Sequence, residues 1–385
     1  MIDSFSEIYD THPEVSLDFK FVKEAVRNGT TTPFLLIDLD LVRIKARRFK
    51  AAMPRVHPHY AFKANPHPEI AKVLIEEGVG FEVASIAELD ALLQLNVPAH
   101  EIYYSNPIKS RQYLEYSAAK GVQWYVLDSI DELRKIYSVK PDASLYLRVD
   151  TQNLGSDWPL SGKFGATLTE CKEIIHEAAH LNADLAGVTF HVGSQCRNVE
   201  NWHVGIDNAK MVFDLMTEAG LEPRLLNIGG GYPVRHVKPI PSIEKIGESV
   251  NAAIADLPQS IRIMAEPGRY MVSDSAYLIS RVVGTAIRAG TKWVYLDSGV
   301  FQGLMETHEG FQYEVYTDHD GQDEIPCTVA GPTCDSMDIM MRDEMLPADL
   351  KEGDYVYIPN AGAYTTAYAS NFNGFPLPQV YIIKK

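Results

Sequence analysis

From about position 34 the chain alternates short apolar, β-rich runs with longer stretches whose apolar residues recur at helical spacing. After a first run at 34–37, the pattern predicts strands over 59–62, 80–84, 102–105, 124–127, 144–149, 185–191, 225–228 and 262–265. Helices are predicted in the gaps, for example over 68–77, 86–95 and 201–219. Eight such units favour an α/β architecture, a closed (β/α)8 TIM barrel of parallel strands, because eight strands enclose an interior that side chains just fill. An open doubly wound sheet is the competing topology.

Beyond about position 272 the helical rhythm stops. Strand-like runs at 276–287, 292–296, 312–316, 355–358 and 379–383 predict a second, all-β C-terminal domain. The expected division is a barrel over 32–272 and a β domain from 1–31 and 273–385, an N-terminal arm joined to a C-terminal β-sandwich or barrel. Methionines within 332–344 fall at mixed spacing and read as core or interface filling. A chain of 385 residues also exceeds what one hydrophobic core usually supports.

Charge and cysteine content narrow the function classes. With 51 acidic against 35 basic side chains the formal charge is −16, which repels nucleic acid and anionic membranes and weakly favours small cations. The N-terminus lacks a signal-peptide pattern, and no apolar run approaches the ~20 residues needed to span a bilayer, so a cytoplasmic protein is expected. Cys171, Cys196, Cys327 and Cys334 lack the spacing of a zinc site and are too sparse for a disulfide framework, so no metal and reduced thiols are expected.

In a barrel of this type the site lies at the C-terminal strand ends. The polar residues there are Lys63, Glu82, Asn106, Asp128, Arg148, His191, the run Gly229 to Gly231, and Glu266 with Arg269. In Asn227-Ile-Gly-Gly-Gly231 the missing side chains let backbone N–H groups approach an anion. A glycine run alone is more often a tight turn. Its pairing with Glu266-Pro-Gly-Arg269 on the eighth strand favours a phosphate site. Lys63, in Tyr60-Ala-Phe-Lys63-Ala-Asn65, follows a buried strand. Most such lysines are surface charges, but one deprotonated by burial and neighbouring cations forms a Schiff base with an aldehyde. Phosphate site and amine together point to pyridoxal 5'-phosphate. Glu266 then keeps the pyridine nitrogen protonated, and His191, in Phe190-His-Val-Gly-Ser194, is a candidate to lie against the ring, although its motif taken alone favours a hydrogen-bonded core histidine.

These motifs together resemble the alanine-racemase-like pyridoxal-phosphate fold and, within it, the ornithine, lysine and arginine decarboxylases, over nearly the whole chain. Racemases of that fold present an arginine to the pyridine nitrogen, so Glu266 implies decarboxylation. By the resemblance, Lys63 is the internal-aldimine lysine, with Glu82 and Glu88 as acidic neighbours, although the family often has aspartate where Glu82 stands. Arg148 belongs to the cofactor pocket and His191 stacks on the ring. Ser194, Gly229, Gly230, Gly231, Arg269 and Tyr364 contact the phosphate. Gly331-Pro-Thr-Cys334-Asp335-Ser336 implies a homodimer whose active sites are shared across the interface, with Cys334 returning a proton to Cα and Asp335 meeting the distal ammonium.

Where ornithine enzymes carry a tyrosine-aspartate pair, this chain offers Glu306 and Glu309. A pocket that reaches the ammonium through water discriminates a methylene weakly, which implies action on both lysine and ornithine, giving cadaverine and putrescine in polyamine biosynthesis. The alternatives are another substrate, such as arginine, diaminopimelate or carboxynorspermidine, and a non-catalytic homologue that binds a protein partner, as antizyme inhibitors do.

Overall fold

The computed structural model describes residues 17–26, 31–151, 153–159, 162–319, 321 and 323–383. Backbone contacts divide the described residues into two compact units: Lys45–Pro233 with Ile240–Gly268 form one, and the described residues up to Ile44, Val234–Pro239 and those from Arg269 onward form the other. Of the N-terminal arm expected over 1–31, residues 1–16 and 27–30 lie outside the described residues, and Phe19–Val26 is a helix.

The first unit is a closed barrel. Its strands run in the order Leu225–Asn227, Arg262–Ala265, Val56–Ala61, Gly80–Val83, Ile102–Tyr104, Trp124–Leu127, Ser144–Arg148 and Asp184–Thr189, and the last pairs back with the first. Every pairing is parallel, as the eight-unit pattern predicts, and the doubly wound alternative is excluded. Parallel strands covered on both faces bury nearly every side chain, which is why they read in the sequence as continuous apolar runs.

Helices start where a side-chain oxygen can take up the free N–H groups of the first turn. Ser85, Ser110, Ser129 and Ser242 each accept from the backbone N–H three residues on, and Thr167 forms a full capping box with Glu170. The barrel interior is aromatic: Tyr103, Val126, Tyr146, Leu225 and Met264 form one cluster with Trp124 beside it. Arg224 lies 5.6 Å over the Trp124 ring and Arg262 5.5 Å over Tyr103, so cation–π contacts cover these rings.

The second unit is an eight-stranded sheet with a principal order Tyr316–Thr317, Tyr355–Pro359, Ala276–Arg288, Thr291–Leu296, Glu324–Ala330 and Ile339–Pro347. Phe34–Asp38 joins it, antiparallel to Ala276–Arg288 and parallel to Gln379–Ile383. The long strand Ala276–Arg288 serves two sets of neighbours because its register shifts between Val282 and Gly284. Of the run at 312–316, only Tyr316 enters the sheet. The side chains of Phe311 and Tyr313 are instead buried against His236, at ring distances of 4.6 and 5.3 Å.

Inside the barrel, His59 is buried against Tyr103, with its Nδ1 3.4 Å from Nδ1 of His57. Burial first, then the neighbouring His57 and Arg262, hold its pKa well below the ordinary 6.5. A depressed histidine pKa means that the unfolded chain binds the proton more readily. The stability from burying neutral His59 is therefore complete above about pH 6.5 and is lost as pH falls toward the folded value. Urea unfolding at a series of pH values should show the native protein losing up to about 1.4 kcal/mol per pH unit more than His59→Leu below about pH 6.5. Parallel curves for the two proteins would contradict this.

Candidate active site

Each barrel strand ends on a residue that the next turn fixes at the rim. Lys63 stands in a 3-10 turn, Phe62–Ala64, directly after Val56–Ala61, while the flanking Phe62 and Ala64 are buried. The turn is held by Tyr60, whose hydroxyl donates to the Asn65 carbonyl at 3.1 Å. Lys63 Nζ lies 3.7 Å from Oε1 of Glu82, on the adjacent strand. Glu82 is 1% exposed, and neither of its carboxyl oxygens has a hydrogen-bond partner. Burial raises its pKa to about 8 against the attraction of Lys63, and Glu266 and Glu88 push it the same way as burial. Glu88 is committed locally, accepting the Ala84 N–H at 2.6 Å over the start of its own helix.

Across the rim, Ile228 N donates to Met264 O and Glu266 N to Gly229 O at 2.8 Å each, which locks the glycine turn to the end of the last strand. This turn has no room for side chains. A Cβ on Gly229 would sit 2.1 Å from the Phe190 carbonyl oxygen, and one on Gly231 2.4 Å from that of Gly193. Both residues also adopt positive φ, +65° and +94°. At Gly230 the obstacles are the Glu266 carbonyl oxygen at 2.7 Å and His191 Nε2 at 3.0 Å.

His191 follows Asp184–Thr189, and its Nδ1 accepts the Gly193 N–H at 3.0 Å. Burial, then the charges of Arg148 and Lys63, keep the ring neutral with its pKa well below 6.5. With Nδ1 accepting, the neutral ring carries its proton on Nε2, the atom beside Gly230. Arg148 ends its strand 5.4 Å over the Phe164 ring, its pKa lowered by burial while Glu266 and Asp128 oppose that. Ser194 begins a short strand paired with Ser156–Trp158. Lys63, Glu82, Arg148, His191, Gly229 to Gly231 and Glu266 are thus all carried by the strand ends of the barrel unit.

Three contributors had not been singled out from sequence. Glu266 Oε1 accepts from Ser105 Oγ and from Asn227 Nδ2, both at 2.7 Å, and Ser105 Oγ is 2.8 Å from the Tyr146 hydroxyl. Ser105 ends the third predicted strand and Asn227 opens the glycine motif, so their positions on the rim are legible from sequence while their bonds to Glu266 are not. The turn after Ser105 is pinned from inside by Lys109, whose Nζ donates to the carbonyls of Asn106 and Val126 at 2.9 and 2.7 Å and lies 3.0 Å from Glu132 Oε1.

The remaining candidates lie in the second unit. Arg269 is buried, and its guanidinium grips Glu306 with two hydrogen bonds of 3.0 and 2.5 Å. Burial works against this cation, but Glu306 outweighs it and raises the pKa. The rings of Tyr364 and Phe311 lie 4.9 and 5.1 Å from the same guanidinium. Both oxygens of Glu306 are therefore engaged by Arg269, and Tyr313 adds a weaker bond at 3.4 Å, whereas Glu309 is exposed. Cys334 is the exposed cysteine of the four, and its thiol donates to Asn373 Oδ1 at 3.5 Å. Asp335 Oδ1 accepts the Met337 N–H at 2.8 Å. Buried Asp338 braces this loop, accepting from Val300 N, Thr333 N and Thr333 Oγ1 at 2.8, 3.0 and 2.7 Å.

Comparison with known proteins agrees with this geometry. Residues 39–273 match the family model described as the pyridoxal binding domain of pyridoxal-dependent decarboxylases. The chain is 35% identical over 362 residues to the ornithine decarboxylase of Schizosaccharomyces pombe, covering 90% of this chain and 82% of that one. It is 34% identical over 357 residues to the lysine/ornithine decarboxylase of Selenomonas ruminantium, covering 92% and 90%. Among solved structures, the lysine/ornithine decarboxylase of Vibrio vulnificus complexed with cadaverine matches with a TM-score of 0.89 and 32% identity, covering 96% of this chain and 100% of that one.

Lys109 is a buried cation whose pKa burial lowers to about 8 even though Glu132 works to raise it. Removing it leaves a buried carboxylate whose remaining cationic partner among the described residues is Lys135, at the edge. Lys109→Met is expected to cost about 3 kcal/mol in urea unfolding, and Lys109→Met with Glu132→Leu to recover most of that loss. Additive losses would show that the pair does not hold this turn.

Proposed function

The chain belongs to the pyridoxal-dependent decarboxylases, and from that premise we propose that it removes the α-carboxylate of both ornithine and lysine, giving putrescine and cadaverine for polyamine synthesis. The observation that carries the proposal is the single rim on which Lys63, Glu82, His191, the glycine turn and Glu266 meet. Those residues fit the cofactor: Glu82 is a buried acid with unpartnered oxygens beside Lys63, and the glycine turn is a cradle that any Cβ would fill.

When bound, pyridoxal phosphate supplies an electron sink for the pair left on Cα as carbon dioxide departs. The protein's part is to hold and orient. Lys63 would provide the amine that anchors the cofactor's aldehyde, with buried Glu82 3.7 Å from its Nζ. Glu266 would face the ring nitrogen and keep it protonated, and neutral His191 and Arg148 would line the ring's pocket. The N–H groups of Gly229, Gly230 and Gly231, together with Ser194, Arg269 and Tyr364, are proposed contacts of the phosphate. Cys334 passes its thiol proton to Cα in the place the carboxylate leaves, acting across the interface of a homodimer, and regains a proton from water.

For the distal ammonium, the sequence offers Asp335, Glu306 and Glu309. Glu306 is already neutralised by Arg269, so Asp335 on the cysteine loop is the stronger candidate, with Glu309 at an exposed position. A single carboxylate met through water accommodates one methylene more or less, which favours dual activity. Names of relatives that cover ornithine alone and lysine with ornithine are compatible with this reading.

Purified protein should show a visible absorbance band that Lys63→Ala abolishes. Its kcat/KM values for ornithine and lysine should lie within about 200-fold of each other, above those for arginine and diaminopimelate. A preference for diaminopimelate, or a folded protein without the band, would refute the assignment.

Sharing of sites has its own signature. Lys63→Ala and Cys334→Ala proteins, each inactive, should regain about a quarter of native activity when mixed in equal amounts and allowed to exchange subunits, since one site in each mixed dimer is intact. If mixing restores nothing although exchange is verified, Cys334 does not act across the interface.

A further inference from the structure

The carboxylate of Glu266 is fixed in an uneven way. Both of its side-chain donors, Ser105 Oγ and Asn227 Nδ2, meet the same oxygen, Oε1, at 2.7 Å. A hydroxyl has one proton, so Ser105, by giving it to the carboxylate, must accept from Tyr146 Oη at 2.8 Å. Tyr146 suits that role, since burial, followed by the charge of Glu266, holds its phenol protonated with a pKa well above 10. The chain of donation therefore runs in one direction, from Tyr146 to Ser105 to Glu266.

Asn227 is fully buried and its amide bridges two groups. Nδ2 donates to Glu266, while Oδ1 accepts the Gly229 N–H at 2.9 Å. Its orientation is settled by chemistry, because a carboxylate only accepts here and a backbone N–H only donates. Gly229 is the first residue of the glycine turn, and its carbonyl in turn accepts from Glu266 N at 2.8 Å. Side chain and backbone thus tie Glu266 and the turn together twice.

We propose that Ser105 and Asn227 are positioning residues for Glu266, loading its Oε1 so that Oε2 is presented to the ring nitrogen, and that Asn227 couples this carboxylate to the turn that receives the phosphate. The inference rests on the cofactor reading given under Proposed function. It assigns two separable consequences to two side chains. Loss of the serine hydroxyl disturbs the ring end alone, and loss of the asparagine amide disturbs both ends.

The test uses the full chain freed of cofactor and titrated by calorimetry with pyridoxal phosphate, with pyridoxal and with inorganic phosphate. Ser105→Ala should weaken pyridoxal phosphate and pyridoxal by the same factor, about 10-fold, and leave the Kd of inorganic phosphate unchanged. Ser105→Thr should restore native values. Asn227→Ala should weaken all three probes, pyridoxal phosphate by about 10- to 100-fold. A merely structural role would lower thermal stability without separating the probes in this way. Unchanged Kd values for pyridoxal in Ser105→Ala, or for phosphate in Asn227→Ala, would overturn the proposal. Should Asn227→Ala fail to fold, Ser105→Ala and its threonine rescue decide. If the native chain itself binds no pyridoxal phosphate, the cofactor reading fails and this inference falls with it, whereas native binding that the variants leave untouched overturns this inference alone.

Discussion

The rim depends on how the barrel closes. Arg262–Ala265 pairs on one side with Leu225–Asn227 and on the other with Val56–Ala61, and the Ala61 N–H reaches the Pro267 carbonyl at 3.2 Å. The bonds between Arg262–Ala265 and Val56–Ala61 join parts of the chain about two hundred residues apart, and together with their neighbours they set the order of four strand ends: glycine turn, Glu266, Lys63, Glu82. Non-local pairing of this kind carries a loop-closure cost that only the completed core offsets. The chemistry of the rim is accordingly a property of the closed barrel and of none of its pieces.

Closure also sets the electrostatics. Glu82 and Glu266 both face the rim, and the charge of Glu266 adds to the burial that raises the pKa of Glu82. The chain treats them differently. Glu266 receives two hydrogen bonds on one oxygen, whereas Glu82 receives none and, being buried, holds its proton up to a pKa of about 8. Two like carboxyl groups are thus set in different surroundings, one held through a single oxygen by two donors and the other buried beside the Lys63 amine. His191, kept neutral by burial and by Arg148 and Lys63, adds an uncharged ring to the same rim.

Much of this was legible before the fold was known, for identifiable reasons. Barrel strands buried on both faces leave uninterrupted apolar runs, and the residue just past each run is at the rim, so Lys63, Glu82, Arg148, His191 and Glu266 could be collected by position alone. The glycine turn was legible because only glycine tolerates the positive φ and the close carbonyls found there. Other features left no local mark. The pairing of Phe34–Asp38 with Gln379–Ile383 joins opposite ends of the sequence, and Glu324–Ala330 and Ile339–Pro347 alternate too irregularly to declare a buried face. Glu306 reads in the sequence as a substrate-facing charge, yet it is buried on Arg269, a partner 37 residues away. Ser105, Tyr146 and Asn227 are ordinary polar residues whose shared dependence on Glu266 exists only in three dimensions.

The central claim is that barrel closure puts one particular amine, that of Lys63, onto an aldehyde cofactor. Its most direct test is reduction of the pyridoxal-phosphate-loaded protein with borohydride, followed by peptide mapping by mass spectrometry. The account predicts a single phosphopyridoxyl adduct on Lys63. An adduct on another lysine, such as Lys109 or Lys163, or no adduct at all, would contradict it.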